Sequence, residues 1–376
     1  MSKPKLRIGL IGSGFMGKAH AFGYSAAARV FDLPYELELH TLADINDEAA
    51  AKAAAALGFA KSTSDWRALA ADPEIDVVNI TAPNALHKAM ALAATAAGKH
   101  VYCEKPLATL APDAGEMAEA AEKAGVKTQV GFNYLCNPML RLAREMIEAG
   151  ELGEIRGYRG LHAEDYMADA SGPFTFRHDS AGGGALADIG SHALATAEFL
   201  LASAAGPITR VMGDCVTMIA ERRDGQGGAR RVDVDDVGRA FLRFESGATG
   251  SIEGNWIATG RKMQHDFEVY GTKGALAFTQ ERFNELHFYS TDDRAGRRGF
   301  RRIEASPDHP PYGLFCVAPG HQLGFNDLKT IEAAGFLEAL AGRRSEPFNF
   351  RAGLRIQTLV ETIRASSREG AWKEVP

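Results

Sequence analysis

Short apolar runs alternate with alanine-rich stretches of helical period from the start of the chain to residue 132. "LRIGLIG" (6–12), "ELELHTLAD" (36–44), "IDVVNITAP" (75–83), "KHVYCEKP" (99–106) and "KTQVGF" (127–132) predict strands, each bounded by glycine, proline or charge. Between them "MGKAHAFGYSAAARVF", "NDEAAAKAAAALGF", "SDWRALAADP", "NALHKAMALAATAAG" and "APDAGEMAEAAEKAG" predict helices. Asn84 is placed to cap the fourth of these, and Gly98 and Gly125 to stop the fourth and fifth. Strand and helix in strict alternation imply parallel strands joined by crossovers, hence a doubly wound α/β sheet.

The rhythm changes after residue 132. A helix follows Pro138 and another follows the glycines of "AGGGALADIGSHALATAEFLL". Then "ITRVMGDCVTMI", "DDVGRAFLRFE", "GATGSIEGNWIA", "MQHDFEVYGT", "GALAFTQ" and "NELHFYST" follow one another as strand candidates with polar, glycine-bearing connections, the pattern of a mostly antiparallel sheet. Two more helices, around "DLKTIEAAGFLEAL" and "AGLRIQTLVETIRASSREG", close the chain. The division expected is residues 1–132 as one domain and 133–376 as an α+β domain built on a large open sheet with helices on one face.

Length and charge narrow the function. A chain of 376 residues holds two cores of ordinary size. With 48 acidic against 42 basic residues the net charge is −6, which offers nothing to nucleic acid or an anionic membrane. The arginine-rich stretches "ERRDGQGGARR" (221–231) and "STDDRAGRRGFRR" (290–302) are interleaved with glycine and aspartate between strand candidates, so they read as solvated hairpin tips. No apolar run is long enough to span a bilayer, and the start lacks the apolar core and cleavage site of a signal peptide. Cys103, Cys136, Cys215 and Cys316 show no paired spacing, which argues against a metal site or disulfide framework. A cytoplasmic location is expected.

The chemistry gathers at predicted strand ends. Gly12-Ser13-Gly14-Phe15-Met16-Gly17 is a G-x-G-x-x-G stretch that follows a strand and opens a helix, the context a dinucleotide requires. Gly12 allows the tight turn, Gly14 lets backbone approach a pyrophosphate, and Gly17 lets helix and strand pack. Asp44, followed by Ile45, ends the next strand, where a carboxylate accepts the ribose hydroxyls and repels a 2′-phosphate. It lies further from the glycines than the usual ~20 residues, the excess falling around "FDLPYE". With no arginine or lysine directly after it, NAD is favoured over NADP. Thr81, Ala82, Pro83, Asn84, Glu104, Lys105 and Asn133 collect at the same edge, joined by His87, which is either a ligand contact or an ordinary surface histidine. Further on, Asp188 and His192 are spaced i, i+4, which would put them on one helix face, with the carboxylate orienting a histidine able to move a proton near neutral pH.

Taken together, "GLIGSGFMGKAH", "TAPNALHKAMALAATAAGKHVYCEKPLA", "VGFNYLCNP", "GGGALADIGSHALATAEFL" and "FEVYGTKGALAF" resemble the glucose–fructose oxidoreductase, inositol dehydrogenase and rhizopine-catabolism (Gfo/Idh/MocA) family over the whole chain. The resemblance implies an N-terminal Rossmann domain, and a C-terminal domain whose open sheet makes a homodimer or homotetramer. It implies reversible hydride transfer between NAD(P) and a hydroxyl or ketone of a sugar, cyclitol or sugar derivative. Lys105 matches the lysine of the family's E-K-P motif, whose proline is often preceded by a cis bond, and Asp188 and His192 match its catalytic pair. His192 is then the base, with Lys105 donating to the reacting oxygen; a relay through Lys105 is the other route. Asp165 and Arg177 are candidates to bond sugar hydroxyls, Tyr166 to stack on a ring, and His321 to contact substrate from a loop. Leu135 and Cys136 stand where members often carry arginine, and Ala195 where many carry aspartate, which changes the expected pocket wall. The same residues leave open a redox-neutral NAD-dependent glycosidase or a non-catalytic NAD(P)-binding regulator.

Overall fold

The structure is a computed structural model that describes residues 3–179, 182–344 and 348–376. The chain divides into two compact units, Met1–Cys136 with Leu323–Arg355, and Asn137–Gln322 with Ile356–Pro376.

In the first unit six strands, β1 (Lys5–Ile11), β2 (Glu36–Ala43), β3 (Lys61–Thr63), β4 (Val77–Ile80), β5 (His100–Cys103) and β6 (Thr128–Val130), form one sheet in the order β3-β2-β1-β4-β5-β6. Every pairing is parallel. This is the doubly wound order, with its switch point between β1 and β4. The helices α1 (Phe15–Val30), α2 (Asp47–Leu57), α3 (Trp66–Ala71), α4 (His87–Ala96) and α5 (Ala111–Ala124) supply the crossovers. Of this sheet the three-residue edge strand β3 is not predicted; only its first and last residues flank a single serine, too little for an alternating pattern. Asn84 is not a cap: it opens a 3-10 turn, and the helix after it has no side-chain cap.

The second unit opens with α6 (Pro138–Glu148) and β7 (Ile155–Ala163), followed by α7 (Ser191–Ala205). Nine strands build its sheet: β7, β8 (Ile208–Val216), β11 (Val237–Phe244), β12 (Thr249–Asn255), β13 (Gln264–Gly271), β14 (Gly274–Thr279), β15 (Glu285–Ser290), β16 (Arg301–Glu304) and β17 (Lys373–Glu374). β9 (Glu221–Arg223) and β10 (Ala229–Arg231) form a separate hairpin. Only β7 and β12 run parallel among the paired strands of the large sheet. α7 packs on β7, β12 and β13, while the strict alternation of β11 leaves Arg239, Phe241 and Arg243 exposed on the other face.

The last part of the chain corrects the expected boundary. Residues 133–136 and 323–355 belong with the N-terminal unit, so the second unit does not run unbroken to residue 376. The cause is burial. The helix α8 (Phe325–Leu340) places Ala333, Ala334, Phe336 and Leu337 in one core with Leu6, Ile8, Tyr24, Val77 and Tyr102. Burying a phenylalanine or leucine this completely contributes roughly 1.5–3 kcal/mol each. α8 also lies so close to α1 that a Cβ on Gly23 would stand 3.1 Å from the Lys329 carbonyl. Among the described residues no helix is long and apolar enough to cross a membrane.

Candidate active site

The nucleotide edge is built by parallel strands that all end on one side. Gly12 follows β1 with φ +96°, a backbone that favours glycine, and its N–H donates to the Ala43 carbonyl at 2.9 Å. Thr81, directly after β4, donates its hydroxyl to the Gly12 carbonyl at 2.7 Å and so ties the glycine turn to the switch point. A Cβ on Gly17 would stand 2.1 Å from the Gly12 carbonyl oxygen, whereas one on Gly14 would meet nothing within 4 Å. The three glycines therefore differ in setting: Gly12 sits at the turn, Gly14 leaves open space, and Gly17 packs the helix on the turn.

Asp44 closes this loop from β2. Its Oδ2 accepts from the Ser13 N–H at 2.9 Å and from the Ser13 hydroxyl, and its Oδ1 accepts from the Ile45 N–H at 2.6 Å. Partial burial opposes the charge, but the bonds from Ser13 and Ile45 outweigh it and hold the carboxyl below its ordinary range. Phe15 and Ile45 are both strongly exposed and leave apolar surface beside the loop, with Phe15 stacked on Phe325 at 5.5 Å; Met16 is half-buried. Asn133 enters from the turn after β6 with its side-chain nitrogen buried and without a hydrogen-bond partner. The open approach at Gly14 and this orphaned donor fit a bound dinucleotide. Replacing Asp44 by alanine removes a charged acceptor worth about 1.5–3 kcal/mol; the KM for NAD is expected to rise at least about tenfold relative to that for NADP, as initial rates with the two cofactors would show.

Two of the expected contacts point elsewhere. His87 is fully buried, with Nδ1 2.9 Å from the Pro106 carbonyl and Nε2 2.8 Å from the Ala82 carbonyl. It fastens the loop after β4 to the turn after β5 and presents no ring nitrogen to a ligand. Burial holds its pKa below the ordinary value despite those carbonyls. Glu104 is also turned inward: Oε1 lies 2.6 Å from His20 Nε2 and 3.0 Å from Lys329 Nζ, while Oε2 accepts from the Lys105 N–H at 3.2 Å. The Lys105–Pro106 bond is cis, as the resemblance implied.

In the second unit, Asp188 sits in a π-helical turn, Leu186–Gly190, that leads into α7, so Asp188 and His192 do not have plain α-helical i, i+4 geometry. Asp188 Oδ2 accepts from the Tyr166 hydroxyl at 2.7 Å and from Arg177 Nε at 2.9 Å. His192 is buried in a histidine cluster, its ring centroid 5.4 Å from His162 and 6.0 Å from His265. His162 stacks on His265 at 4.9 Å and reaches Glu164 Oε1 at 2.9 Å. Burial, then the neighbouring His162, hold His265 well below the ordinary histidine range. His162 and His265 were not singled out from the sequence, because β7 and β13 pair only in the folded sheet.

Tyr166 and Arg177 are therefore brought onto Asp188, whereas Asp165 is not a free sugar ligand. Its oxygens accept from Lys262 Nζ at 2.9 and 2.8 Å and from the Gly260 N–H at 3.0 Å. His321 is exposed, and its carbonyl accepts the Tyr312 hydroxyl. Leu135, Cys136 and Ala195 are buried.

The first arginine-rich stretch is a hairpin, but Arg222 is no solvated tip. Its guanidinium is buried and donates to the Met167 carbonyl at 2.6 Å and the Asp169 carbonyl at 2.7 Å, while Arg230 stacks over Phe174 at 3.8 Å. It thus anchors the segment that carries Tyr166. Arg222→Ala leaves the Met167 carbonyl without its donor and the Asp169 carbonyl with only the Gly172 N–H at 3.1 Å, and is expected to cost about 1–3 kcal/mol, read as a lowered denaturation midpoint. Among the described residues, His40, Asp72 and Glu74 are the one group that could share a metal ion, and Lys61 Nζ already stands 2.8 Å from Glu74 Oε2.

Comparison with known proteins agrees with this geometry. Residues 6–132 match the oxidoreductase family with an NAD-binding Rossmann fold, and residues 140–277 match the GFO/IDH/MocA C-terminal domain. Levoglucosan dehydrogenase of Pseudarthrobacter phenanthrenivorans is 38% identical over 388 aligned positions, covering 99% of this chain and 98% of the relative. A structure of levoglucosan dehydrogenase in complex with NADH and levoglucosan superposes with a TM-score of 0.94 at 39% identity, covering 99% of this chain and 100% of the other. An NAD binding oxidoreductase from Klebsiella pneumoniae superposes with a TM-score of 0.93 at 42% identity, with 99% of each chain covered. Rossmann order, glycine loop and full-length likeness converge on one statement: the chain belongs to the Gfo/Idh/MocA family of NAD-dependent oxidoreductases, whose members include sugar and cyclitol dehydrogenases.

Proposed function

We propose that the protein oxidises a secondary hydroxyl of a sugar, cyclitol or sugar derivative, with an anhydrosugar such as levoglucosan the first candidate. The observation that carries this reading is the likeness to levoglucosan dehydrogenase along the full length of both chains. Bound NAD supplies the hydride acceptor. Gly12, Gly14 and Gly17 hold its phosphates, Asp44 its ribose, and Asn133 offers the buried amide. Lys105 donates a hydrogen bond to the reacting oxygen and stabilises the negative charge that grows there. His192 takes the hydroxyl proton. Asp188, held by Tyr166 and Arg177, supplies the fixed negative charge beside that histidine's helix turn. The cytoplasm is the proposed location. A second copy of the chain is the proposed partner, against the open face of the large sheet where Phe241 lies exposed between Arg239 and Arg243; light scattering would then give a dimer or tetramer.

The experiment is incubation with NAD and a panel of anhydrosugars, cyclitols and aldoses, followed by NADH absorbance. NADH formation with at least one of them is expected. Tight NAD binding with no NADH from any of them would sink the dehydrogenase reading. Free sugar released from a glycoside without net NADH would replace it with the redox-neutral glycosidase.

A further inference from the structure

Behind the Lys105 turn lies a buried group of charges that the proposed chemistry does not use. Lys329 of α8 is fully buried, and its Nζ stands 3.0 Å from Glu104 Oε1, 2.7 Å from Glu332 Oε2 and 3.4 Å from the Tyr102 hydroxyl. His20 of α1 reaches the same Glu104 oxygen at 2.6 Å and Asn79 Oδ1 at 2.9 Å, and Tyr24 donates to that Asn79 oxygen at 2.9 Å. A buried ammonium costs several kcal/mol unless it is paired, so an apolar core that retains one uses it.

We propose that Lys329 is a positioning residue: its ammonium balances the buried Glu104 carboxylate, and Glu104 in turn holds the backbone of the Lys105–Pro106 turn through the Lys105 N–H.

The charges support the pairing. Burial pushes Glu104 up, but Lys329 and then His20 outweigh it and hold the carboxyl well below its usual range. Glu332 is the weaker partner: burial pushes its carboxyl up, and its Oε1 is buried with no hydrogen-bond partner. Burial and then Lys329 hold the His20 pKa below the ordinary histidine value. Tyr24 and Tyr102, also facing this group, are both held above the ordinary tyrosine value by burial and then Glu332. Lys329 is thus the cation on which Glu104 depends.

Lys329→Met tests this with two readouts. Without the ammonium, the His20–Glu104 pair takes up a proton on folding. A group whose folded pKa is raised stabilises below its unfolded pKa and loses that contribution as pH rises. The melting temperature of K329M is therefore expected to fall from pH 6 to pH 9 relative to the unsubstituted protein, and K329M/E104Q is expected to keep only the smaller part of this slope that comes from the unpaired Glu332. Turnover is expected to drop about tenfold, short of the ~10²-fold that a misplacement of about 1 Å costs, with the KM for NAD within about threefold. Unsubstituted turnover in K329M, or no added pH slope, would overturn the proposal. If K329M does not fold, the near-isosteric E104Q decides: lowered turnover at unchanged KM for NAD supports it, unsubstituted turnover overturns it. The turnover arm rests on the dehydrogenase reading, but the melting arm needs no substrate. An inactive unsubstituted protein would therefore sink that reading while leaving the Lys329–Glu104 pairing to be judged separately.

Discussion

Replacing Lys105 by alanine is expected to lower turnover by roughly 10²–10³-fold, the cost of removing one donor aimed at a developing oxyanion. The KM for NAD should stay within about threefold, because the side chain acts on the reacting oxygen and the loss then falls on kcat. The turn that carries it stays in place: its backbone is held by Glu104 Oε2 at 3.2 Å and the Pro106 carbonyl by His87 at 2.9 Å, and neither contact needs the lysine side chain. His192→Ala, measured alongside, should cut turnover by a similar factor and change the pH–rate profile, since it removes the proposed proton acceptor. Near-unsubstituted turnover in both variants would remove the two residues from the mechanism.

Gly17→Ala should damage cofactor binding more than any other single methyl group in the first unit's nucleotide loop. The new Cβ would lie 2.1 Å from the Gly12 carbonyl oxygen, a backbone atom already accepting the Thr81 hydroxyl at 2.7 Å. Neither atom is the free end of a flexible side chain, so the loop or the helix must move. Overpacking of this kind costs roughly 1–3 kcal/mol of stability. The displaced loop also loses aim at the pyrophosphate, so NAD affinity should fall by about 10²–10³-fold, or ~3–4 kcal/mol. Titration of NAD against protein fluorescence reads this directly. Gly14→Ala is the control: its Cβ meets nothing within 4 Å of the protein, so the fold should tolerate it while NAD binding weakens. If G17A bound NAD normally, the close packing of α1 on the glycine turn would not be needed.

Much of the nucleotide half was legible from local pattern. Gly12, Gly14, Gly17, Asp44 and Thr81 lie within or directly after segments whose periodicity is unambiguous, and parallel strands necessarily end on one edge. The misassigned residues share a cause. His87, Glu104 and Asp165 are polar residues at strand or helix ends, which is where ligand contacts and structural ties both occur. What separates the two is the partner: carbonyls of Ala82 and Pro106, the ammonium of Lys329, the ammonium of Lys262. Each partner is remote in sequence or on a neighbouring loop, so residue type and spacing hold no trace of it.

The same reasoning explains the helix at 325–340. Its pattern predicts a helix, and Lys329 and Glu332, three residues apart, carry no mark of burial in the sequence. Which core would bury it was not written in the helix, because any apolar face of suitable width could have accepted it. Local propensity and period carry the doubly wound sheet, the glycine loop and the strand-end Asp44, whereas Lys105, Asp188 and His192 are singled out by the resemblance of their motifs to the family's. Folding in three dimensions added the assignment of 323–355 to the nucleotide unit, the burial of Lys329 against Glu104, the π turn at Asp188 and the anchoring of the Tyr166 segment by Arg222. These depend on contacts between residues far apart in the chain, and such contacts form only where packing and the satisfaction of buried polar groups agree.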